Sequence, residues 1–270
     1  MPDSDDTQTP EKKVYQVKPF VAPSRDLDPK APLEWLSRGW QDFRQSPVLS
    51  LTWGLVCVVL FAAVALGAWA LGRWVLLISV LSGFVFVAPL LAFALYSVSR
   101  LHATGHSVNL VQTLRAARKP FSNALVFALI LLVIFLLWAR AGSMVHIFFP
   151  SDQTPGIVGL VTFLAIGSAV GSVFAAVTFA CTAFSLPFIA NREVDVVTAV
   201  VSSINAVLRN KWTMLMWAAI IVIFTAASFL TGLLGFLITI PWLAYASWHG
   251  YRAALDVEGW SILPPPDQHE

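Results

Sequence analysis

Long apolar runs alternate with short polar, basic segments along this chain. A helix needs about 20 apolar residues to cross the hydrocarbon core of a bilayer. Only Gly72 and Arg73 separate the first two runs, which favours a tight antiparallel hairpin of helices. The pattern therefore predicts an all-α membrane protein with six transmembrane helices, arranged as three hairpins, at about 48–71, 74–99, 121–140, 157–190, 212–230 and 233–250.

A shorter segment with helical periodicity precedes each odd-numbered span. In the first segment the apolar positions recur every three or four residues, and Asp42 and Arg44 lie off that face. Asp195 is the expected N-cap of the third segment. These segments predict three amphipathic helices at the membrane interface, with apolar faces built from Leu33, Leu36, Trp40 and Phe43, from Leu110, Val111 and Leu114, and from Val197, Val200, Val201, Ile204, Val207 and Leu208.

The same order of elements occurs three times. Each amphipathic segment ends in a basic step into the next span, at Arg44, Arg118 and Arg209. Each even-numbered span contains a proline, which disturbs a helix, and these are Pro89, Pro187 and Pro241. We interpret the chain as an interfacial helix plus a helical hairpin used three times in one orientation, unlike inverted transporter repeats.

The fourth apolar run is too long for a straight span. As one helix, residues 156–190 would measure roughly 52 Å, against a hydrocarbon core of ~30 Å. The run must tilt, kink at Pro187 or extend past the membrane surface. It also contains Gly167 and Gly171, and small residues at this spacing let helices approach closely. We expect these glycines to pack inside the bundle, and a homodimer seam is the alternative.

Composition agrees with a bilayer protein. Of 270 residues, 57% are hydrophobic and 12% are charged, with a mean hydropathy of +0.74. Soluble proteins carry about 25% charged residues. Lysines and arginines cluster in the N-terminal region, the second-to-third and fourth-to-fifth connections and the C-terminal tail, whereas only Arg73 and Arg140 lie on the other side. Because positive residues mark the cytoplasmic side, we expect an inner (plasma) membrane protein with both termini cytoplasmic.

The two ends of the chain lack a long apolar run. Residues 1–31 are rich in proline and charge, which predicts a disordered cytoplasmic tail. No cleaved signal peptide is evident, because the first apolar run is too long for one. We assign the six-span membrane domain to residues 32–252 and a second cytoplasmic tail to residues 253–270.

The sequence offers little reactive chemistry. The apolar runs contain no carboxylate, which argues against an ion-coupled transporter. Of the histidines, only His249 lies near a span, so we expect no haem, and we expect His102 and His106 to be loop residues without a metal. Cys57 and Cys181 lie in apolar runs and are expected to be inert. We predict no catalytic, cofactor or metal site, and therefore no enzyme.

One stretch resembles a known group of proteins. Ser185-Leu-Pro187-Phe-Ile189 is followed by an acidic turn and then by Ala199, Ser203, Ala206 and Arg209-Asn210. This pattern resembles a loose group of bacterial six-span proteins, including the membrane domain attached to some glycerophosphodiester phosphodiesterases. Over most of its length the chain is most similar to a domain-of-unknown-function family of predicted bacterial integral membrane proteins, some labelled putative cytochrome oxidase subunits. The resemblance implies architecture and inner-membrane residence.

These observations favour a non-enzymatic accessory, scaffold or assembly factor. Its expected partners are membrane lipids and a membrane protein or a second copy, without nucleic acid. The alternatives are a carrier for a lipid or small apolar solute and a respiratory-oxidase-associated subunit. A continuous polar cavity above roughly 300 Å³ would favour the carrier, whereas an exposed face at Gly167 and Gly171 would favour partner binding.

Overall fold

A computed structural model describes residues 19–70, 86–105, 108–148 and 157–264. All regular secondary structure in these ranges is helical. The turn at 72–73 and the first half of the second predicted span lie outside them. We number the helices α1 (Ala31–Gln45), α2 (Pro47–Ala70), α3 (Phe93–Ala103), α4 (Leu110–Arg118), α5 (Phe121–Phe148), α6 (Ile157–Thr182), α7 (Ser185–Asn191), α8 (Val196–Arg209), α9 (Lys211–Leu230) and α10 (Phe236–Ala254).

Five segments are long and apolar enough to cross a membrane. They coincide with the first five predicted spans and are Pro47–Ala70, Phe86–Ala103, Phe121–Met144, Ala165–Asn191 and Lys211–Leu230. The sixth predicted span corresponds to α10, which is not among these five. Its second half carries tryptophan, tyrosine, histidine, serine and arginine in place of aliphatic residues, and these polar groups lower its hydropathy.

Two of the three prolines lie beside breaks in the helices. Residues 86–91 are helical, and a turn at Ala92, three residues after Pro89, separates them from α3. The fourth run breaks at Ala183 and Phe184, just before Pro187. Of the three alternatives stated for that run, a break close to Pro187 is therefore present. By contrast, α10 continues through Pro241 without a break.

The break between α6 and α7 has its backbone groups satisfied by a serine from α8. The Ser203 hydroxyl donates to the Ala180 carbonyl at 2.7 Å. The Phe184 N–H donates to the same hydroxyl oxygen at 3.1 Å. Because unpaired backbone groups are costly in an apolar environment, Ser203 stabilises a break that would otherwise be unfavourable.

The packed core lies at one end of the bundle. Residues 92–101 and 181–191 are buried without interruption. The equivalent part of α10 is also largely buried, including Tyr245, Trp248 and Tyr251. An alanine–aromatic–small tripeptide lies at or near the start of each of these three segments, namely Ala92-Phe93-Ala94, Ala183-Phe184-Ser185 and Ala244-Tyr245-Ala246. This recurrence agrees with a threefold unit.

The predicted apolar face of α4 points outward, and that of α8 does so only in part. Leu110, Val111 and Leu114 of α4 are exposed, and Thr113 is buried instead. In α8 the serines and alanines are buried, namely Ser202, Ser203, Ala199 and Ala206. The apolar face of α4 and, in α8, Val197 and Leu208 are therefore free to contact lipid, whereas the rest of the α8 face is partly buried.

Three of the four residues of the predicted apolar face of α1 are buried or pack against the core, and only Leu33 does not. Leu33, expected on the buried face, is 52% exposed, whereas Asp42, expected on the polar face, is 8% exposed. Trp35, Gly39 and Asp42 are buried together. The reason is specific to Asp42, since its carboxylate receives hydrogen bonds from other helices, as described below.

Close helix packing joins α10 to α1 and α2. A Cβ atom at Gly39 would lie 2.6 Å from the Ala246 nitrogen, so only glycine lets α1 approach α10 this closely. A Cβ at Gly54 would lie 2.8 Å from the carbonyl carbon of Leu237. Leu237 lies four residues before Pro241, which has no N–H to bond that carbonyl. Pro241 therefore leaves the Leu237 carbonyl without its usual N–H partner in α10, at the point where Gly54 allows α2 to approach.

The ends of the chain pack together rather than hanging free. Residues 19–30 and 255–264 form what we call the terminal cap. The Arg25 N–H donates to the Ala254 carbonyl at 2.8 Å, and the Leu27 N–H donates to the Asn210 side chain at 2.8 Å. The Leu263 N–H donates to the Asn191 carbonyl at 3.0 Å. Residues 19–30 thus differ from the disordered tail expected from composition, because these hydrogen bonds fix them on the bundle. Residues 1–18 lie outside the described residues.

We predict that Gly54→Ala destabilises the protein, because its methyl group collides with the Leu237 backbone. The expected loss is about 1–3 kcal/mol, as for overpacked cores. Gly67→Ala in the same helix is the matched control, since a Cβ there meets nothing within 4 Å in the described structure. Unfolding by heat and by SDS titration in detergent measures both variants. Equal stabilities for the two would contradict the proposed α2–α10 approach.

Candidate functional site: a buried carboxylate between two histidines

Asp42 places a carboxylate in the packed end of the bundle. It lies in the last turn of α1, and its Oδ2 accepts two hydrogen bonds. The Ser99 hydroxyl on α3 donates at 2.6 Å, and His249 Nε2 on α10 lies at 3.0 Å. The apolar runs themselves contain no carboxylate, as stated from the sequence. Asp42 is nevertheless buried, although it precedes the first apolar run and was assigned to an outer face of its helix.

His102 approaches the other oxygen of the same carboxylate. Its Nδ1 lies 3.9 Å from Asp42 Oδ1. This nitrogen is buried and has no hydrogen-bond partner. On the opposite edge of the ring, Nε2 lies 3.0 Å from the Ser46 hydroxyl. His102 is thus a half-buried residue in the last turn of α3 and not a loop histidine, whereas His106 lies outside the described residues.

A second set of hydrogen bonds fixes the chain around Ser46. The Ser50 hydroxyl donates to the Ser46 carbonyl at 2.7 Å. Ser50 then accepts from the Tyr245 hydroxyl at 2.8 Å, since its own proton is already used. The polar cluster of Asp42, Ser46, Ser99, His102 and His249 therefore joins α1, α3, α10 and the start of α2. We call it the Asp42 cluster.

No lysine or arginine of the described chain forms an ion pair with Asp42. Arg38 on the same helix pairs with Glu34 at 2.6 Å on an exposed surface. Arg44 and Arg252 are exposed. The hydroxyl and imidazole donors are therefore the groups that compensate this carboxylate. A buried carboxylate without donors would cost several kcal/mol, so these contacts are required for its burial.

Arg100 is a second buried charge at the same end. It is 4% exposed. Its guanidinium donates to the Ala190 carbonyl at 2.9 Å and to the Ala116 carbonyl at 3.0 Å. These carbonyls belong to the last turns of α7 and α4, where the helix dipole favours a cation. Arg100 thus ties two helix ends to α3.

A cavity of about 360 Å³ opens near the start of α5. Its lining carries charges of both signs, and Lys119 pairs with Glu193 at 2.9 Å. Arg192 donates to the Trp260 carbonyl at 2.7 Å. The cavity lies at the polar end of the bundle and is lined by Lys119, Pro120, Asn123, Ile189, Arg192, Glu193, Val194, Asp195 and Leu263.

Asp195 on the rim of this cavity caps α8, as predicted. Its Oδ1 accepts from the Thr198 N–H at 2.9 Å. Partial burial raises the pKa of the Asp195 carboxyl, but hydrogen bonds from Thr198 and Val197 outweigh it and hold that pKa below its ordinary value. The Asp195 carboxylate therefore stabilises the folded protein fully above its ordinary pKa. This stabilisation is lost as the pH falls through the lower pKa of the folded state.

The glycines singled out in the fourth run are not packed inside the described bundle. A Cβ added at Gly167 or Gly171 would meet nothing within 4 Å among the described residues. The neighbouring Ser168 and Ser172 are exposed. Internal packing of these two glycines therefore stays a prediction. One side of α6 packs on α5, and no described residue covers the glycine face.

The remaining residues singled out in the sequence have structural positions. Arg44, Arg118 and Arg209 are exposed in the last turns of α1, α4 and α8. Cys57 and Cys181 are buried and unpaired. In the ranges that the structure describes, no group of three or more histidine, cysteine, aspartate or glutamate side chains is placed to hold a metal ion.

The sequence contains a signal that could have located Asp42. Trp35, Gly39 and Asp42 are spaced by four and three residues, so they share one face of a helix. Choosing Trp35 instead of Leu33 as the centre of the buried face places Asp42 inside. No local signal indicates its partners, because Ser99 and His249 lie 57 and 207 residues away.

Comparison with known proteins supports membrane residence. A family described as "Predicted integral membrane protein (DUF2189)" matches residues 76–191, which run from the second predicted span to the end of α7. The matched region contains Ser99, Arg100 and His102, while Asp42 and His249 lie outside it. Searches of curated proteins and of solved structures each found no significant match. The chain is thus an integral membrane protein with several apolar helices.

We predict that Arg100→Ala destabilises the protein, because it leaves the Ala190 and Ala116 carbonyls without their charged donor. The expected loss is about 1.5–3 kcal/mol. Arg118→Ala, an exposed arginine, is the control and should change stability by less than about 0.5 kcal/mol. SDS titration in detergent compares the two. A loss for Arg118→Ala as large as that for Arg100→Ala would contradict this role.

Proposed function

We propose that this protein is a membrane-embedded accessory or assembly factor that binds another transmembrane helix through α6. The observation that carries the proposal is the open face at Gly167 and Gly171, where no described residue lies within 4 Å of an added Cβ. Lipid chains fill such a shallow face poorly, whereas a second helix can approach its backbone closely.

The other described spans expose mostly bulky residues. α2 exposes bulky residues such as Leu55, Val59 and Leu66, and α5 exposes Leu129 and Leu136. Such side chains suit contact with lipid. The small residues of α6 therefore mark the surface where a partner helix would gain the most contact.

The carrier alternative has weaker support. The cavity of about 360 Å³ exceeds the volume that would favour it. However, this cavity lies at the polar end of the bundle, and its lysine–glutamate pair closes part of the rim. It therefore offers no path along the spans. An oxidase-associated subunit remains compatible with partner binding, since such a subunit acts by packing on another membrane protein.

We further propose the finer topology. All three units share one orientation in the inner membrane, with both termini cytoplasmic and α1, α4 and α8 near the interface. Three observations support this arrangement. Ser24 pairs with Leu255, so the two terminal segments lie side by side. The exposed apolar stripes of α4 and α8 suit the acyl boundary. The basic residues Arg118 and Arg209 suit the cytoplasmic face.

We predict that Gly171→Leu abolishes partner binding without loss of stability, because the new side chain fills the open face and keeps a partner helix away. Gly67→Leu is the control, since Gly67 is also open but lies on α2. The mass of the protein in nanodiscs or mild detergent reports a second copy or a stoichiometric partner. A wild-type protein that is strictly monomeric and alone, or a complex unaffected by Gly171→Leu, would refute the proposal.

For the topology, we predict that reporters fused after Gly72 and after Gln153 are external, whereas reporters at either terminus are cytoplasmic. Paired reporters that are active only outside or only inside the cell give opposite signals. The fusion within the 108–109 connection serves as an internal control and should be cytoplasmic. A cytoplasmic signal at Gly72 or Gln153 would overturn the proposed orientation.

A further inference from the structure

Three members of the Asp42 cluster are arranged as a nucleophile, a base and an orienting acid. The Ser46 hydroxyl lies 3.0 Å from His102 Nε2. His102 Nδ1, on the other side of the ring, faces Asp42 Oδ1 at 3.9 Å. We propose that Ser46, His102 and Asp42 form the catalytic triad of a serine hydrolase that acts on carboxylic esters dissolved in the membrane.

The hydrogen bonds indicate which tautomer of His102 the site uses. If the Ser46 hydroxyl donates to Nε2, the imidazole proton resides on Nδ1. That nitrogen is buried and has no hydrogen-bond partner, so Asp42 Oδ1 is the acceptor that it faces. The separation of 3.9 Å is longer than a hydrogen bond, but triad contacts are often loose until substrate binds. A movement of about 1 Å closes it to hydrogen-bond length.

The carboxylate is held in place by groups outside the triad. Ser99 and His249 both bind Oδ2, which leaves Oδ1 directed toward His102. The Ser99 hydroxyl donates its proton to the carboxylate, and Ser50 donates its proton to the Ser46 carbonyl. Among Ser46, Ser50 and Ser99, Ser46 is therefore the one whose hydroxyl contacts an imidazole nitrogen.

The position of Ser46 indicates the class of substrate. Ser46 is half-buried between α1 and α2, immediately before an apolar span. Val48, two residues further, is 77% exposed. An ester whose acyl chain lies along the start of α2 would bring its carbonyl to Ser46. Pro47 has no N–H, so the backbone N–H groups of Val48 and Leu49 in the first turn of α2 are the donors nearest in the chain for an oxyanion.

The reaction follows from these positions. Ser46 Oγ bonds to the ester carbonyl carbon while its proton moves to His102 Nε2, and the carbonyl π electrons move to oxygen. The carbon–oxygen bond to the alcohol then breaks, and the alcohol leaves with the proton from Nε2. Water attacks the acyl-serine, giving its proton to Nε2. Release of the carboxylic acid returns that proton to Ser46.

A wild-type labelling experiment tests the assignment without relying on any variant. The full-length protein in mild detergent is treated with a fluorophosphonate probe, digested and mapped by mass spectrometry. We expect the phosphonyl group on Ser46. Labelling of another residue, or no labelling at probe concentrations that saturate ordinary serine hydrolases, would overturn the proposal. This readout is independent of the α6 face, so either proposal can fail without the other.

Variants then separate catalysis from structure. Ser46→Ala and Asp42→Asn should lower hydrolysis of a p-nitrophenyl ester by about 100-fold or more in kcat, the contribution expected of a positioned base. KM should change little, because neither group is needed to bind the acyl chain. Ser143→Ala, an exposed serine on α5 whose hydroxyl bonds its own helix, should retain full activity. Equal activity in Ser46→Ala and Ser143→Ala, at preserved thermal stability, would contradict the triad.

Discussion

The carboxylate of Asp42 imposes the strongest constraint on this structure. A buried carboxylate is stable only if donors surround it, and Asp42 draws its donors from α3 and α10. These helices belong to different units of the threefold pattern. The need of the Asp42 carboxylate for donors therefore holds α1 against the ends of the second and sixth predicted spans. The glycine at position 39 makes this possible, since it lets the α1 backbone reach Ala246 on α10.

The packing of the rest of the bundle depends on two environments, namely lipid around the spans and the polar end of the bundle. Within lipid, burying apolar side chains brings little gain, so helices associate through small residues and hydrogen bonds. Gly54, which lies against the Leu237 backbone, is an example of association through a small residue. Ser203, which bonds the backbone at the α6–α7 break, is an example of association through hydrogen bonds. At the polar end, the terminal cap and Arg100 satisfy backbone groups at helix ends. The apolar side chains of α4 and, in α8, those of Val197 and Leu208 face outward.

The sequence was sufficient for five of the six predicted spans, because the thickness of a bilayer dictates how long an apolar run must be. It was also sufficient for the presence of the three shorter helices, whose periodicity is local, and for Asp195, whose capping partner is three residues away. It was not sufficient for the buried face of α1 or for the packing of residues 19–30. Those depend on Ser99, His249 and Asn210, and no local pattern links residues so far apart in the chain.

A purely structural role does not account well for the Asp42 cluster. Replacing buried ionic groups with apolar ones of similar size is often neutral or stabilising, so stability alone gives little reason to bury a carboxylate beside two histidines. Leaving His102 Nδ1 without a partner costs about 1–3 kcal/mol. A network built only for stability would avoid this cost, for example by placing an acceptor at hydrogen-bond distance. Unsatisfied buried groups need a specific explanation, and a base that gains its full hydrogen bond only when substrate is bound supplies one. The same argument separates this site from Arg100, whose contacts to helix ends already fulfil a structural role.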